Sequence, residues 1–334
     1  MAMRVNEPDG RLVAEAVELA TPAPGWVRVE VRASGVCFAD LGTSRAHDAH
    51  GPVTPGHEVA GVLAALGDGV DCFELGERVA VGWFGGSCGH CEACRRSDVV
   101  HCSKRKIPGR SYPGGWAQSI TVPADALARI PEALDFHHAA PMGCAGVTTF
   151  NAVRHAGIPA GGRIAVFGIG GLGHLAVQWA AKMGYEVIAI ARGPERQTLA
   201  HELGAQRYID SAANAPGAAL AALGGTDLIM CTASTTAPVT ELLGGLRVRG
   251  RLVLIGVDEG KIEVPAAQLI MKGQAVTGHL TGDAQDTEDA MRFAAVHDVR
   301  PMIERLPLHA ANEAVERLST GAARFRIVLD AGTG

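Results

Sequence analysis

The 334-residue sequence predicts an α/β protein of two domains, one built on a doubly wound parallel sheet and the other mainly β. Three observations predict it. An apolar strand at 163–167 leads into a glycine-rich turn and then into an amphipathic helix. Strands and helices alternate from there to about residue 285. Before residue 147, short alternating strands such as 27–31 and 78–81 are broken by glycine and proline, which indicates a partly open barrel.

The alternating half of the chain supplies six strands for one sheet. Interleaved helices can then cover both faces of that sheet, as a doubly wound fold requires. We expect its strands near 163–167, 186–190, 207–211, 227–232, 250–256 and 275–279. After the helix that follows the glycine turn, we expect further helices near 194–203, 215–223 and 237–247.

The glycine-rich turn has the pattern G-x-G-x-x-G. By itself this pattern is weak, but here a strand precedes it and a helix follows, which is the context that dinucleotide binding requires. The glycines let the backbone approach a pyrophosphate, and the helix N-terminus offers free N–H groups. The cofactor-binding residues of the turn would be Gly168, Gly170, Gly171, Leu172 and Gly173. The sequence therefore predicts a dinucleotide-binding Rossmann domain over residues 148–286.

The segment after the second strand of this domain bears on the choice of cofactor. An Asp or Glu at this point reads the ribose 2′-hydroxyl of NAD. This sequence has Ala191, Arg192 and Gly193 there, with Arg196 one turn further on. No carboxylate would repel a 2′-phosphate, and the two arginines could bind it, which favours NADP(H) over NAD(H). Alternatively, Arg192 is a solvated loop residue and NAD binds through backbone contacts alone.

Four of the eight cysteines lie in one lobe, at about residues 86–104. Cys88, Cys91, Cys94 and Cys102 have the spacing C-x2-C-x2-C-x7-C. Two-residue gaps let successive thiolates surround one centre, and zinc accepts four thiolates in a closed structural site. An iron–sulfur cluster also uses four cysteines, but this spacing matches neither ferredoxin pattern. We therefore expect a structural zinc rather than four thiols without a metal.

Two further cysteines, Cys72 and Cys231, are interpreted as ordinary buried small side chains, because each lies beside apolar residues.

Composition and charge exclude several classes of protein. Hydrophobic residues make up 47% of the chain and charged residues 19%, which excludes an intrinsically disordered protein. A net charge of −5 gives no indication of a nucleic-acid or membrane partner. No stretch approaches the ~18 consecutive apolar residues of a membrane span, and the first residues lack the apolar core of a secretion signal. We therefore expect a cytoplasmic protein whose partner is a small molecule.

Several segments of the chain occur in the order that one enzyme family shows. Together with the four-cysteine lobe and the glycine turn, the segments that carry the resemblance are Gly35–Asp40, Pro55–Gly61, Gly143–Thr149 and Arg324–Leu329. Over essentially its full length the chain resembles a zinc-dependent alcohol dehydrogenase of the medium-chain dehydrogenase/reductase superfamily. The resemblance implies a GroES-like catalytic domain formed by residues 1–147 and 287–334.

The resemblance also implies a catalytic zinc site. Cys37, His57 and Cys144 would be the metal ligands, with the fourth position open to substrate. Such a zinc polarises a carbonyl oxygen or lowers the pKa of a bound alcohol. Asp40 matches the carboxylate that orients the ligand histidine, and Glu58 matches a carboxylate behind the metal.

Three further matches concern the cofactor. Thr148 and Leu172 match positions that pack against the nicotinamide ring, and Arg326 matches a contact to the pyrophosphate.

The chain departs from the family at the proton relay. The residue two after the first ligand cysteine is usually Ser or Thr, but here it is Ala39, while Gly42 replaces an outer histidine and Phe38 a His or Arg. One explanation is that a water chain, or the ribose hydroxyl with His47 or His50, replaces the relay. The other is that the substrate needs no alcohol proton, as in some plant relatives that reduce iminium ions or activated C=C bonds.

The substrate pocket is expected to be aromatic and apolar, which suits a flat or bulky apolar substrate. Its expected residues are Phe38, Ala39, Trp83, Phe84 and Trp116. Phe84 is equally well explained as a residue of the barrel core.

The leading hypothesis is therefore a zinc-dependent alcohol dehydrogenase or aldehyde reductase that holds two zinc ions per chain and acts on a primary or aromatic alcohol. One alternative is a zinc-containing, NADPH-dependent reductase of C=N or activated C=C bonds. Another is a non-catalytic redox-sensing or scaffolding protein, which the trio of Cys37, His57 and Cys144 argues against. The family resemblance implies a homodimer or homotetramer.

Overall fold

The computed structural model describes residues 1–7, 10–19, 21–44, 52–256 and 259–332. The chain divides into two compact units. The first unit contains Met1–Val147 and Thr281–Gly334, and the second contains Thr148–Leu280.

Most strands of both units are short, and the three longest are two strands of the first unit and one of the second. In chain order they are β1 (Ala2–Arg4), β2 (Val13–Glu15), β3 (Trp26–Val36), β4 (Glu58–Leu66), β5 (Arg78–Val81), β6 (Ser119–Pro123), β7 (Leu127–Arg129), β8 (Arg163–Phe167), β9 (Glu186–Ala191), β10 (Arg207–Asp210), β11 (Thr226–Cys231), β12 (Leu246–Leu254), β13 (Ala275–Gly278), β14 (Ile303–Pro307) and β15 (Arg326–Asp330).

The helices lie mostly in the second unit and in the C-terminal part of the first. They are α1 (Phe38–Ser44), α2 (Glu92–Arg95), α3 (Phe136–Ala139), α4 (Ala145–Arg154), α5 (Gly173–Lys182), α6 (Gln197–Glu202), α7 (Pro216–Ala222), α8 (Val239–Leu242), α9 (Ala266–Lys272), α10 (Ala284–His297) and α11 (Ala311–Ser319). Single 3₁₀ turns lie at Val99–His101, Ala124–Ala126, Ala140–Gly143, Pro194–Arg196, Leu243–Gly245 and Leu308–Ala310. Within the described ranges, no helix is both long and apolar enough to cross a membrane.

The second unit is built on a parallel sheet with the strand order β10-β9-β8-β11-β12-β13. The order runs outward in both directions from β8, so it reverses between β8 and β11. Ligands of doubly wound sheets bind at the carboxyl ends of the strands beside such a reversal. The glycine turn follows β8 and therefore lies at this point. The predicted doubly wound Rossmann fold is confirmed.

The middle strands of this sheet are buried on both faces. Val187, Ile188 and Ile190 of β9 are fully buried, as are Ile229 of β11 and Leu252 of β12. Strands covered by helices on both sides read as continuous apolar runs rather than as alternating ones. This pattern explains why the sequence located these strands to within a few residues.

One helix of the second unit is shorter than the sequence suggested. In place of a helix near 237–247, α8 ends at Leu242, a 3₁₀ turn follows, and β12 begins at Leu246. Gly244 and Gly245 occupy that turn, and glycine weakens a helix interior by about 1 kcal/mol relative to alanine. The strand expected near 250–256 therefore starts four residues earlier.

The first unit is a mainly β, partly open barrel. Its sheet has the order β14-β15-β3-β4-β5-β7, with β6 also paired to β3. Along β3, Val27, Val29 and Val31 point into the core while the intervening residues are partly exposed. This period of two is the pattern of a strand with one buried face. From Ala33 to its end at Val36, every residue of β3 is buried.

The second boundary between the units lies at residue 280 rather than at the expected 286. A boundary at 286 would cut the start of α10, where Asp283 and Asp286 form a reciprocal capping box. The rest of that helix belongs with the first unit, because Glu288 accepts a 3.2 Å hydrogen bond from the backbone N–H of Arg129.

The close approach of β3 and β4 generates a first prediction. A side chain at Gly61 of β4 would collide with the backbone carbonyl of Glu30 in β3. We expect Gly61→Ala to lower the free energy of unfolding of the first unit by about 1–3 kcal/mol, because backbone cannot move aside cheaply. Gly244→Ala is the control, since a methyl group there meets nothing within 4 Å. Thermal unfolding of both variants checks this, and equal midpoints would contradict it.

Candidate functional site

Four side chains with metal-binding atoms meet in the interior of the first unit. Cys37 follows β3, His57 and Glu58 stand at the start of β4, and Cys144 follows the 3₁₀ turn Ala140–Gly143. One ligand atom from each residue lies within 4.8 Å of the others. The sulfurs of Cys37 and Cys144 are 4.0 Å apart. The structure thus brings together residues that are more than one hundred positions apart in sequence.

Strand pairing explains how these residues meet. The antiparallel register of β3 and β4 places Gly35 opposite Glu58, so the end of one strand lies beside the start of the other. The turn that carries Cys144 is attached to the end of β5, where the backbone N–H of Trp83 donates to the carbonyl of Gly143 at 3.0 Å. Three adjacent strands therefore converge on one point.

The carboxylate of Asp40 holds this cluster in place through hydrogen bonds. Its carboxylate accepts hydrogen bonds from the backbone N–H of Cys37 at 2.9 Å and from that of Gly56 at 3.3 Å. It also accepts from His57 Nδ1 at 2.8 Å. This bond puts a proton on Nδ1 and leaves Nε2 as the nitrogen that can bind a metal.

His57 Nε2 is a buried polar atom without a hydrogen-bond partner among the described residues. Buried polar atoms normally find partners, so an exception calls for an explanation. Its position beside two cysteine sulfurs fits a metal ion held by one nitrogen and two sulfurs, a donor set that zinc accepts.

The charges of the cluster favour a cation. A hydrogen bond from Cys144 and the nearby His57 lower the pKa of the Cys37 thiol well below its ordinary value. The same bond, together with burial, raises the pKa of Cys144. Burial opposes a charge on His57, but the charges of Asp40 and Cys37 outweigh it and raise the pKa of the imidazole. A metal cation bound among these atoms would stabilise the thiolate of Cys37.

Glu58 and Arg326 form a buried ion pair behind the cysteines. Burial raises the pKa of Glu58 to about 7, although the adjacent Arg326 lowers it in part. Arg326 stands at the start of β15, which pairs antiparallel with the end of β3. Its guanidinium contacts Glu58, and its expected contact to a pyrophosphate stays a prediction.

The four cysteines of the lobe also meet. The sulfur of Cys94 lies 3.4 Å from that of Cys91 and 4.0 Å from that of Cys88, and the Cys88 and Cys102 sulfurs are 3.5 Å apart. A backbone hydrogen bond from Cys94 lowers the pKa of Cys91 to about 5, which favours a thiolate. The donor set fits a closed zinc site.

The other two cysteines have different environments. Cys231 is buried at the end of β11, as expected. Cys72 is exposed, so its interpretation as a buried residue was wrong. It lies in the turn region between β4 and β5, where an apolar neighbour, Phe73, takes the buried position instead.

Three glycines of the glycine turn in the second unit differ in the space that surrounds them. Gly168 has a positive φ of 95°, and a side chain there would lie 2.9 Å from Ala233. A side chain at Gly173 would collide with the carbonyl of Gly168. At Gly170, by contrast, a methyl group meets nothing within 4 Å, so the backbone faces open space. This is the arrangement that a pyrophosphate needs.

The loop after β9 is held by residues of β10. Gly193 donates its N–H to Asp210 at 2.8 Å and accepts from the Tyr208 hydroxyl at 2.5 Å. Ala191 is buried and Arg192 is exposed. The guanidinium of Arg196 donates to the carbonyl of Ile169 in the glycine turn.

No sequence pattern indicated Tyr208 and Asp210, nor the Glu195 carboxylate that lies against Gly193. Asp210 ends a strand at the carboxyl edge of a parallel sheet, and that position was the available signal.

The expected pocket residues have mixed surroundings. Phe38 is 61% exposed, and Trp83 is half-buried with Arg105 above its ring at 5.4 Å. Phe84 is buried, as its core interpretation suggests. Trp116 is fully buried and donates its indole N–H to the carbonyl of Gly35 at 3.2 Å. Trp116 is therefore a core residue and not a pocket wall.

The remaining site residues add little to this geometry. Ala39 is half-buried in α1, Leu172 precedes α5, and Thr148 is buried at the start of the second unit. Their roles toward substrate and nicotinamide stay predictions. His47 and His50 lie outside the described residues.

Comparison with known proteins identifies the family of this chain. A family model described as an alcohol dehydrogenase GroES-like domain matches residues 23–132, and one described as a zinc-binding dehydrogenase matches residues 171–296. The protein named alcohol dehydrogenase notN of Aspergillus sp. (strain MF297-2) is 39% identical over 319 residues, covering 95% of this chain and 94% of its own. The NADP-dependent alcohol dehydrogenase C of Mycobacterium bovis is 33% identical over 343 residues, covering 98% and 96%.

Among solved structures, a cinnamyl alcohol dehydrogenase of Sorghum bicolor superposes with a TM-score of 0.88 at 31% identity. The match covers 99% of this chain and 97% of that one. The chain therefore belongs to the zinc-type alcohol dehydrogenases of the medium-chain dehydrogenase/reductase superfamily, a family of oxidoreductases.

Proposed function

We propose that this protein is a zinc-dependent, NADP(H)-preferring alcohol dehydrogenase of primary or aromatic alcohols, or an aldehyde reductase in the reverse direction. The observation that carries the proposal is the trio of the buried His57 and the partly buried Cys37 and Cys144, in which the ring nitrogen of His57 that Asp40 leaves available lies among the sulfurs. The family assignment supports the reaction class.

The trio would hold the catalytic zinc. When bound there, zinc supplies Lewis-acid polarisation of the substrate oxygen. The protein's own residues prepare the site for it. Asp40 holds the imidazole of His57 in one tautomer, and the hydrogen bond between Cys144 and Cys37 favours the thiolate form of Cys37. The ligands are thus oriented before the metal arrives.

Glu58 and Arg326 would serve the site as a neutral pair. The carboxylate lies beside two potential thiolates, which repel it, and the guanidinium offsets that repulsion. Their pairing keeps a negative charge near the metal without adding net charge to the interior.

The four-cysteine lobe would hold the second, structural zinc. Only two short turns, α2 and Val99–His101, provide regular structure in this lobe. A closed tetrathiolate site would supply the cross-link that so small a segment cannot supply by packing.

Ala39 favours a second candidate function. Its methyl group can neither bind an alcohol oxygen nor pass on a proton, whereas a relay hydroxyl usually contributes ~10²–10⁴-fold to the rate. A substrate that needs no proton at that point, such as an iminium ion or an activated alkene, would make this loss harmless. This enzyme would be a zinc-containing NADPH-dependent reductase.

The preference for NADP(H) rests on the loop after β9. Residues 191–193 contain no carboxylate, and the exposed Arg192 is available at the edge where a 2′-phosphate would arrive. A relative of similar length carries the description NADP-dependent, which supports the same choice.

A homodimer or homotetramer is proposed from the open edge of the second unit's sheet. β13 is the last strand of that sheet, and α9 beside it exposes Ile270 and Met271 at 78% and 84%. An exposed strand edge with apolar neighbours is normally covered by another chain.

Metal analysis tests the zinc sites. We expect two zinc ions per wild-type chain and one in His57→Ala, with loss of all aldehyde reduction in the variant. Cys72→Ser is the matched control, since Cys72 is exposed and outside both clusters, and it should keep both ions. One zinc in the wild type would overturn the proposed catalytic site.

The proton relay is tested by turnover. We expect wild-type protein to reduce aromatic aldehydes with NADPH, and Ala39→Ser to oxidise the matching alcohols at least about tenfold faster, because a hydroxyl restores proton transfer. Initial rates across aldehydes, imines and conjugated alkenes measure this. If a protein with two zinc ions turns over only imines or alkenes, the second candidate function replaces the first.

Cofactor choice is tested at Arg192. We expect Arg192→Ala to raise the KM for NADPH about tenfold, while the KM for NADH changes little, because only NADPH carries the 2′-phosphate. Arg207→Ala removes the same charge from an exposed position of β10 and should leave both constants unchanged. Equal effects of Arg192→Ala on the two cofactors would contradict the phosphate role.

A further inference from the structure

We propose that Thr232, Arg196 and His174 are positioning residues that fix the peptide planes of the glycine turn for a pyrophosphate. The inference rests on the proposed NADP(H) or NAD(H) binding at this turn. It assigns the shape of the turn to three side chains, only one of which stands next to the G-x-G-x-x-G pattern in sequence.

Each of three successive carbonyls in the turn accepts a side-chain hydrogen bond. The Thr232 hydroxyl donates to Gly168 at 2.6 Å, with a longer contact of 3.1 Å to Phe167. The Arg196 guanidinium donates to Ile169.

The third carbonyl, that of Gly170, accepts from both the ring and the backbone of one residue. His174 Nδ1 lies at 2.9 Å and the His174 N–H at 3.1 Å. A carbonyl only accepts, so Nδ1 of this buried histidine carries the proton.

Because of peptide geometry, these contacts to the carbonyls also set the directions of the N–H groups. A trans peptide is planar, so its N–H points away from its C=O. Fixing the carbonyls of residues 168–170 therefore directs the N–H groups of residues 169–171 to the opposite side. Glycine populates many backbone conformations, and without these contacts the turn would have to order itself when the cofactor binds. The open space beside Gly170 is where that ordering matters.

The three donors come from different elements that converge on the turn. Thr232 follows β11 across the reversal of strand order, Arg196 precedes α6, and His174 lies in the first turn of α5. This placement gives Arg196 a role distinct from that of Arg192. Its guanidinium acts on the turn that faces the pyrophosphate, which NADPH and NADH share, and not on the 2′-phosphate.

The test is a binding titration of the full chain by calorimetry with NADPH, NADH and 2′-AMP. The variants are Thr232→Val, His174→Phe and Arg196→Met, each of which removes a donor at similar size. We expect each to raise the Kd of both dinucleotides by the same factor, about tenfold. The Kd of 2′-AMP, which has no pyrophosphate, should not change. Thr232→Ser and His174→Asn keep a donor and should restore most of the affinity.

The outcomes separate this inference from the proposed function. Unchanged dinucleotide affinity in all three variants would overturn it, and so would an Arg196→Met variant that loses NADPH and 2′-AMP but keeps NADH. Arg192→Ala is the comparison for that second pattern. A wild-type chain that binds neither dinucleotide would remove the proposed function itself. A variant that fails to fold would lose 2′-AMP as well, and Thr232→Val, which changes no charge and little volume, then decides.

Discussion

The antiparallel pairing of β3 and β4 is the constraint on which the candidate metal site depends. The two strands approach so closely that neither Gly35 nor Gly61 could carry a side chain, since Glu58 and the backbone of Glu30 fill the space. This register fixes Cys37, at the end of one strand, beside His57, at the start of the other. β5 then brings the turn with Cys144, and β15 brings Arg326. Cys37 and His57 each adjoin a strand and Cys144 follows a 3₁₀ turn, and ligands placed on regular elements keep a set geometry.

The interior around these residues carries more charge than a core tolerates without compensation. Asp40, Glu58 and Arg326 are all nearly inaccessible to solvent, and two thiols and an imidazole lie among them. Isolated charges in such surroundings cost several kcal/mol each unless they are paired. Asp40 pairs with His57 and Glu58 with Arg326, so the anionic sulfur is the charge that remains for a cation. A bound metal cation would therefore stabilise this arrangement of buried charges.

The sequence was informative where a local pattern had a local cause. Buried parallel strands read as apolar runs, cysteine spacing followed from the need to surround one atom, and the glycine turn needed a strand before it and a helix after it. It was uninformative where long-range packing decides. No residue near Trp116 indicated that its ring would pack against the backbone of Gly56. No residue of the 191–196 segment indicated that the guanidinium of Arg196 would donate to the carbonyl of Ile169. Cys72 was misjudged because its neighbour Phe73 took the buried position.

The interrupted course of the first unit has a consequence for folding during synthesis. The second unit is one continuous stretch, Thr148–Leu280, so all its strands are available as soon as that stretch has left the ribosome. The first unit must wait, because β15 pairs with β3 and carries Arg326 to a partner 268 positions earlier. Until then Glu58 has no countercharge, and the edge of β3 that β15 covers stays open. Until β15 has been made, the nascent chain therefore carries an unfinished barrel with an exposed strand edge, which is the state in which β proteins aggregate and chaperones bind.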